Sequence, residues 1–262
     1  MNNEQSITLL RRNKRLLAEA FQSVGMANVT ESSRAAEFAR RIKWAGGLLD
    51  LCLACQRISD GSHWYFTQSE WETLTNANKQ LFLMRGLRVR ALGHSFVLAP
   101  ADAKDEEGDS TMQWMNASVD IPDLKNVGIG AAYNDFSGKA STALILEAVA
   151  NEDIPSATSA PASQWASAYH SYRKEDGDAL DDESDWHLPG LGVLIVLYRW
   201  RAEINKAFSS FWGSDALLSS DSYWSSTEWN SSLKWSINIK SGAIFNTEPM
   251  SKIGVRPVSD EV

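Results

Sequence analysis

Cysteine is almost missing from this 262-residue chain; only Cys52 and Cys55 occur, three apart in Leu51-Cys52-Leu53-Ala54-Cys55. A disulfide framework is thereby excluded as the source of stability. A C-x-x-C pair can serve redox chemistry or supply half a zinc site. With no second pair, no neighbouring histidines and apolar residues on both sides, it reads instead as two buried, reduced thiols. Long hydrophobic runs are missing too. No segment reaches the 18 or more apolar residues that would cross a bilayer, and the N-terminus, polar and then basic at Arg11, Arg12, Lys14 and Arg15, lacks the apolar stretch of a secretion signal. Positive charge is in short supply: the net charge is −8, which argues against a nucleic-acid surface. That charge is uneven, because residues 1–45 carry eight Lys/Arg against four Asp/Glu.

Catalytic signatures are missing as well. There is no G-x-S-x-G elbow and no G-x-x-x-x-G-K-[ST] phosphate loop. Gly128-Ile129-Gly130 and Gly190-Leu191-Gly192 each begin a G-x-G-x-x-G, but Tyr133 and Ile195 stand where the third glycine belongs. The four histidines, His63, His94, His170 and His187, lie far apart with no metal-ligand spacing. The acidic run Asp176–Glu183 does not follow the EF-hand order, since Leu180 takes the fifth place and no glycine follows it. No catalytic residue, no metal and no cofactor is expected.

Tryptophan is what the chain has in plenty: 11, against 9 Phe and 6 Tyr. Trp fills cores and anchors interfaces alike. Apolar spacing predicts helices over residues 5–25 and from Ser32 or Ser33 toward Gly46-Gly47. The apolar run Leu48–Cys55 is expected to continue as a buried helix to about Arg57. Thr67-Gln68-Ser69-Glu70 has capping-box spacing and predicts a helix carrying Trp71, Leu74 and Leu81. Leu87–Leu92 alternates as a strand should, Gly93-His94 suits a turn, and Ser95–Leu98 would return. Residues 102–109, 156–164 and 174–185 read as surface loops. Trp186–Leu188 is a short extended piece stopped by Pro189. A helix over 191–208 follows, with Leu191, Leu194, Leu197, Tyr198, Ile204 and Phe208 inward, and then a small antiparallel sheet from Trp224 to Val258. Trp186, Leu194, Leu197, Trp224 and Trp235 are expected to be buried together in one unit over residues 185–258.

Asp185-Trp186-His187-Leu188-Pro189, the following helix, Tyr223-Trp224-Ser225-Ser226-Thr227-Glu228, Trp235, Gly242 and Val255-Arg256-Pro257-Val258 form one pattern with the upstream segment Asn134–Thr142. It resembles the C-terminal domain of Legionella collagen-like adhesins and of many phage and gut-bacterial surface proteins. It is also similar to the variable proteins of diversity-generating retroelements, which use a C-type-lectin fold. The resemblance covers about residues 125–262 and implies an α+β chain: an N-terminal helix-rich α+β scaffold or docking domain, residues 1–124, and a C-type-lectin-like ligand-binding domain, residues 125–262. No E-P-N or W-N-D calcium–sugar motif is present, and Glu248-Pro249-Met250 is a partial echo only.

The resemblance further implies a scaffold of Trp224, Ser225, Thr227, Trp235, Gly242, Val255 and Arg256, with sequence-tolerant positions between them. The expected exposed binding set is Trp229, Asn230, Ser231, Ser232, Lys234, Ser236, Asn238, Lys240, Ser241, Phe245, Asn246, Thr247, Met250 and Ser251, with Asn238 and Lys240 on one strand face opposite Ile237 and Ile239. The function so implied is non-enzymatic binding, as in a retroelement-diversified variable protein or a phage tail or receptor-binding protein. A fixed-specificity surface adhesin is the alternative, and a formylglycine-generating-type enzyme, whose chemistry needs cysteine, a more distant one. The expected partner is a protein or glycan receptor on a cell surface, with a virion or scaffold partner for the N-terminal region. The expected location is a virion (phage tail) or a cell surface reached without a signal peptide, cytoplasmic before assembly, with no nucleic acid and no membrane insertion.

Overall fold

The structure, a computed structural model, describes residues 49–151, 153–155, 158–171, 185–213, 216–218 and 220–260. The helices expected over 5–25 and 32–47 and nearly all of the acidic loop 174–185 lie outside them. The chain divides into two compact units, Leu51–Val89 with Ser95–Val262, and Met1–Asp50 with Arg90–His94.

Eleven strands among the described residues form two sheets. The first has the order β2 (His63–Phe66), β1 (Asp50–Arg57), β3 (Phe82–Ala91), β4 (His94–Leu98), β11 (Val258–Asp260) and β6 (Trp186–His187). The second has the order β5 (Thr111–Met112), β10 (Ile253–Gly254), β7 (Ser222–Asn230), β8 (Leu233–Asn238) and β9 (Ile244–Thr247). Its pairs are antiparallel except β10 with β7, which run parallel. The helices are α1 (Gln68–Thr73), α2 (Asn76–Lys79), α3 (Ile129–Ala132), α4 (Gly138–Ala150), α5 (Pro161–Ser167), α6 (Leu191–Arg199) and α7 (Arg201–Trp212). The chain is α+β.

Where local chemistry is decisive, sequence and structure agree. Thr67 accepts from the Glu70 amide while Glu70 Oε2 accepts from the Thr67 amide at 2.8 Å, so the capping box starts α1. The helix nevertheless ends at Thr73, and Leu74 and Leu81, expected on it, lie beyond it. The β3–β4 hairpin forms as its alternation requires, although His94 opens the return strand rather than sitting in the turn. Where only apolar continuity was available, the expectation fails. Leu51–Cys55 is a strand, not a helix, buried at nearly every position of β1 and so covered on both faces. Cys52 and Cys55, three apart on a strand, point to opposite faces, so they form no joint thiol site; both are buried, and burial pushes the Cys55 thiol well up.

Four further expectations are corrected. Residues 161–167 are a helix started by Pro161 at its first position. The helix expected over 191–208 breaks at Trp200 (φ −115°), so Arg199 ends α6 and Arg201 begins α7, and Tyr198 is exposed rather than inward. The boundary expected at residue 124 falls inside the larger unit: β11 pairs with β4 and β10 with β5, so both sheets combine strands from either side of it. For the same reason residues 185–258 are not a self-contained unit. Trp186 packs with Ala54, Val97 and Ala99, whereas Trp224 packs with Trp114, Ile145, Leu188 and Val255. Both are buried, in different clusters.

The start of α6 shows why Gly190-Leu191-Gly192 stands where a polar N-cap is usual. A Cβ on Gly190 would come within 2.5 Å of the Asp135 carbonyl oxygen, and one on Gly192 within 2.7 Å of the Phe136 ring. The helix donors are satisfied from elsewhere: Leu191 N–H donates to Thr227 Oγ1 at 2.9 Å, and Gly192 N–H to the Asp135 carbonyl at 2.8 Å. Thr227 in turn donates to Asp135 Oδ2 at 2.6 Å, which ties β7 to the segment before α4.

Candidate binding surface

The second sheet is held by indole donors and two buried ion pairs. Trp114 Nε1 donates to Ser225 O, Trp224 Nε1 to Met112 O and Trp235 Nε1 to Val127 O, each at 2.8 Å. Three tryptophans are thus oriented as well as buried. Lys234 on β8 is fully buried; its ammonium pairs with Glu228 on β7, lies 4.8 Å from the centre of the Trp114 ring, and donates to the carbonyls of Val119 and Asn230. Arg256, also buried, faces Asp102 with Nε 2.6 Å from Oδ1, off the hydrogen-bond axis, while its other nitrogens donate to Ala99 O and Leu217 O. Asp102 therefore belongs to the core, not to the solvated loop expected for residues 102–109.

Burial pushes the Glu228 carboxyl up to about 7, and the same desolvation lowers Lys234. Since 7 lies above the unperturbed 4.5, the folded state holds the glutamate proton more tightly, and this group's contribution to stability falls as pH rises from 4.5 to 7. Lys234, lowered, acts the other way toward its unperturbed 10.5. Urea unfolding at pH 5 and pH 7 should show Glu228→Gln losing less stability over that interval than the parent; equal slopes would refute it.

These facts divide the expected binding set. Lys234 and Ser236 are buried, not exposed: Lys234 in its ion pair, Ser236 against Thr247 Oγ1 at 2.8 Å. Asn230 Oδ1 accepts from the amides of Ser232 and Leu233 and closes the β7–β8 turn. Asn238 Oδ1 accepts from the amides of Lys240 and Ser241 and closes the β8–β9 turn. β8 ends at Asn238, so Lys240 lies in that turn and shares no strand face with Asn238. Trp229 is half-buried, its ring 5.9 Å from that of Trp235. Ser231, Ser232, Lys240, Ser241, Phe245, Asn246 and Met250 remain exposed, and Ser251 is half-buried.

The exposed residues are not one face. In an antiparallel meander successive turns lie at opposite ends, and the register puts Thr247 opposite Lys234 and Ile244 opposite Ile237. Ser231 and Ser232 therefore sit at one end of the sheet, Lys240 and Ser241 at the other, with Phe245 and Asn246 along the outer strand β9. Phe245 is 49% and Met250 46% exposed, large apolar side chains left in water.

The end that holds Lys240 also borders an open cleft of about 530 Å³, lined by Ile195, Tyr198, Arg199, Arg201, Ala202 and Lys240. Apolar periodicity does not reveal it, because that periodicity puts Tyr198 inward and marks no break at Trp200. Among the described residues no group of three His, Cys, Asp or Glu side chains is placed to hold a metal ion. Because the sequence carries no E-P-N or W-N-D calcium–sugar motif, EDTA is expected to leave the melting temperature unchanged, and a rise of several degrees on adding calcium would contradict this.

No protein-family model and no curated protein matches the chain. A fimbrial protein from Bacteroides ovatus ATCC 8483 aligns over 94% of this chain and 41% of its own length, at 11% identity and a TM-score of 0.40. The chain thus spans less than half of that protein, and a likeness at this level carries no argument.

Proposed function

We propose that the chain is a non-enzymatic binding protein whose C-terminal part is a C-type-lectin-like module, with ligand contact made by exposed residues of the second sheet. One observation supports this reading. The residues that hold the sheet are buried (Trp224, Trp235, Glu228, Lys234, Arg256), while Ser231, Ser232, Phe245, Asn246 and Met250 between them stay exposed. Such a division lets the surface change without loss of the fold, which is what a diversified variable protein or a phage receptor-binding protein requires. The ligand is a protein or glycan on a cell surface.

The test replaces Ser232, Phe245, Asn246 and Met250 together and follows both melting and capture on arrayed cell-surface glycans and proteins. Each exposed substitution is expected to cost about 0.5 kcal/mol or less. Capture is expected to weaken strongly, with Phe245 alone costing about 2 kcal/mol, roughly thirtyfold. A variant that unfolds makes these residues structural; one that stays folded with unchanged capture moves the binding site elsewhere.

A further inference from the structure

The cleft beside Lys240 has an unusual balance of charge for an acidic protein. Arg199 is exposed and Arg201 half-exposed, and neither has a carboxylate partner among the ion pairs of the described residues. The Arg199 guanidinium lies 4.9 Å from the centre of the Trp200 ring, and Arg201 donates through Nη1 to Ile239 O at 2.7 Å. That bond fixes the Arg201 side chain while Nη2 and Nε keep their donors. Lys240 pairs with Asp221, which is not part of the cleft wall.

The fold brings these cations to the wall of one cleft. The helix break at Trp200 turns the chain between Arg199 and Arg201, and the β8–β9 turn brings Lys240 to the same opening. Tyr198 is held by Gly242, whose φ of +76° and missing Cβ leave room for the ring; a Cβ there would collide with Tyr198 Cζ. A scaffold glycine thus seats the aromatic wall of the cleft.

We infer that this cleft docks an acidic, partly apolar peptide segment of a partner protein, its carboxylates on Arg199, Arg201 and Lys240 and an apolar side chain against Ile195, Tyr198 and Ala202. The inference extends the binding reading above to a class of partner. The chemistry of the wall selects it. The charged side chains are donors only, and the Tyr198 hydroxyl is the single side-chain acceptor in the wall. A neutral saccharide would offer these cations no charge to meet. A carboxylate-bearing chain asks only for donors, and guanidinium groups supply them in pairs. Tyr, Trp and Arg are also the residue types that dominate the energetics of protein interfaces.

The test measures binding of the full chain to a fluorescein-labelled decapeptide alternating Glu with Leu. A Gln-Leu decapeptide, a sulfated dextran and inorganic polyphosphate serve as comparison probes. The Glu-Leu peptide is expected to bind, the Gln-Leu peptide not, and the affinity should fall as salt rises. Arg199→Gln with Arg201→Gln should weaken binding at least tenfold, and Ile195→Ser about threefold or more. A variant with Gln at Arg11, Arg12, Lys14 and Arg15 should bind within twofold of the parent, which separates the cleft from the basic N-terminal region. Unchanged binding in the Arg199/Arg201 variant overturns the proposal. So does equally tight binding of the dextran or the polyphosphate together with a silent Ile195→Ser, since the cleft would then read charge alone. None of these variants touches Phe245, Asn246 or Met250. Failure here with capture lost in the surface swap above rejects the cleft and leaves the binding reading standing, and the converse outcome does the reverse.

Discussion

Lys234→Met is expected to destabilise the protein by about 3–5 kcal/mol, because it leaves the Glu228 carboxylate buried without its cation. At roughly 2–4 °C per kcal/mol for a unit of this size, the melting temperature should drop by about 10 °C. Part of the loss is the ammonium's contact with the Trp114 ring and its bonds to the carbonyls of Val119 and Asn230. The rest depends on pH. Glu228 already titrates near 7, and without Lys234 its proton is held tighter still. The deficit should therefore be smaller at pH 5, where the carboxyl is neutral, than at pH 8, where ionisation is forced on a buried group. Adding Glu228→Gln should recover much of the stability, since replacing both partners of a buried pair is often nearly neutral whereas removing one is not. Urea midpoints of the parent, the single variant and the double variant at the two pH values decide it. A single variant as stable as the parent would mean that Lys234 reaches water and belongs to the binding surface after all.

Trp224→Ala is expected to cost a similar amount, about 3–5 kcal/mol, for a different reason. The indole is fully buried among Trp114, Ile145, Leu188 and Val255, and it donates from Nε1 to Met112 O. Truncation removes apolar contact, opens a cavity in a cluster that draws on α4, α5 and both sheets' connecting loops, and leaves a buried carbonyl with one bond fewer. Phe245→Ala is the natural comparison. It deletes an aromatic of similar kind from a half-exposed position on β9, and should shift the urea midpoint by no more than about 0.5 kcal/mol of stability. Equal losses at the two sites would erase the division between buried scaffold and tolerant surface on which the proposed function rests.

The contrast between these residues shows what could be read from sequence. Trp224 and Trp235 were expected inside, and both are. Lys234 was expected outside, because it falls between the scaffold positions that the resemblance implies, and nothing in the string says that Glu228, six positions earlier, meets it across a hairpin. Asn230 and Asn238 looked like adaptable contact residues; each is committed to closing a turn through its side-chain oxygen. Arg199 and Arg201 gave no signal, since their convergence with Lys240 depends on a break at Trp200 that apolar periodicity does not mark.

By itself the sequence determined those features whose physics acts within a few residues. The Thr67–Glu70 capping box, the alternation through β3 and β4, the proline stop at Pro189 and the absence of any bilayer-length apolar run are of that kind. Tertiary structure alone decided whether the continuous apolar run at Leu51–Cys55 became strand or helix, because a segment covered on every side carries no periodicity to distinguish them. It also decided that strands from both halves of the chain share two sheets, and which polar side chains are buried. A buried charge is tolerated only where a partner from a distant segment meets it, and that meeting is made by the fold, not by neighbours in sequence.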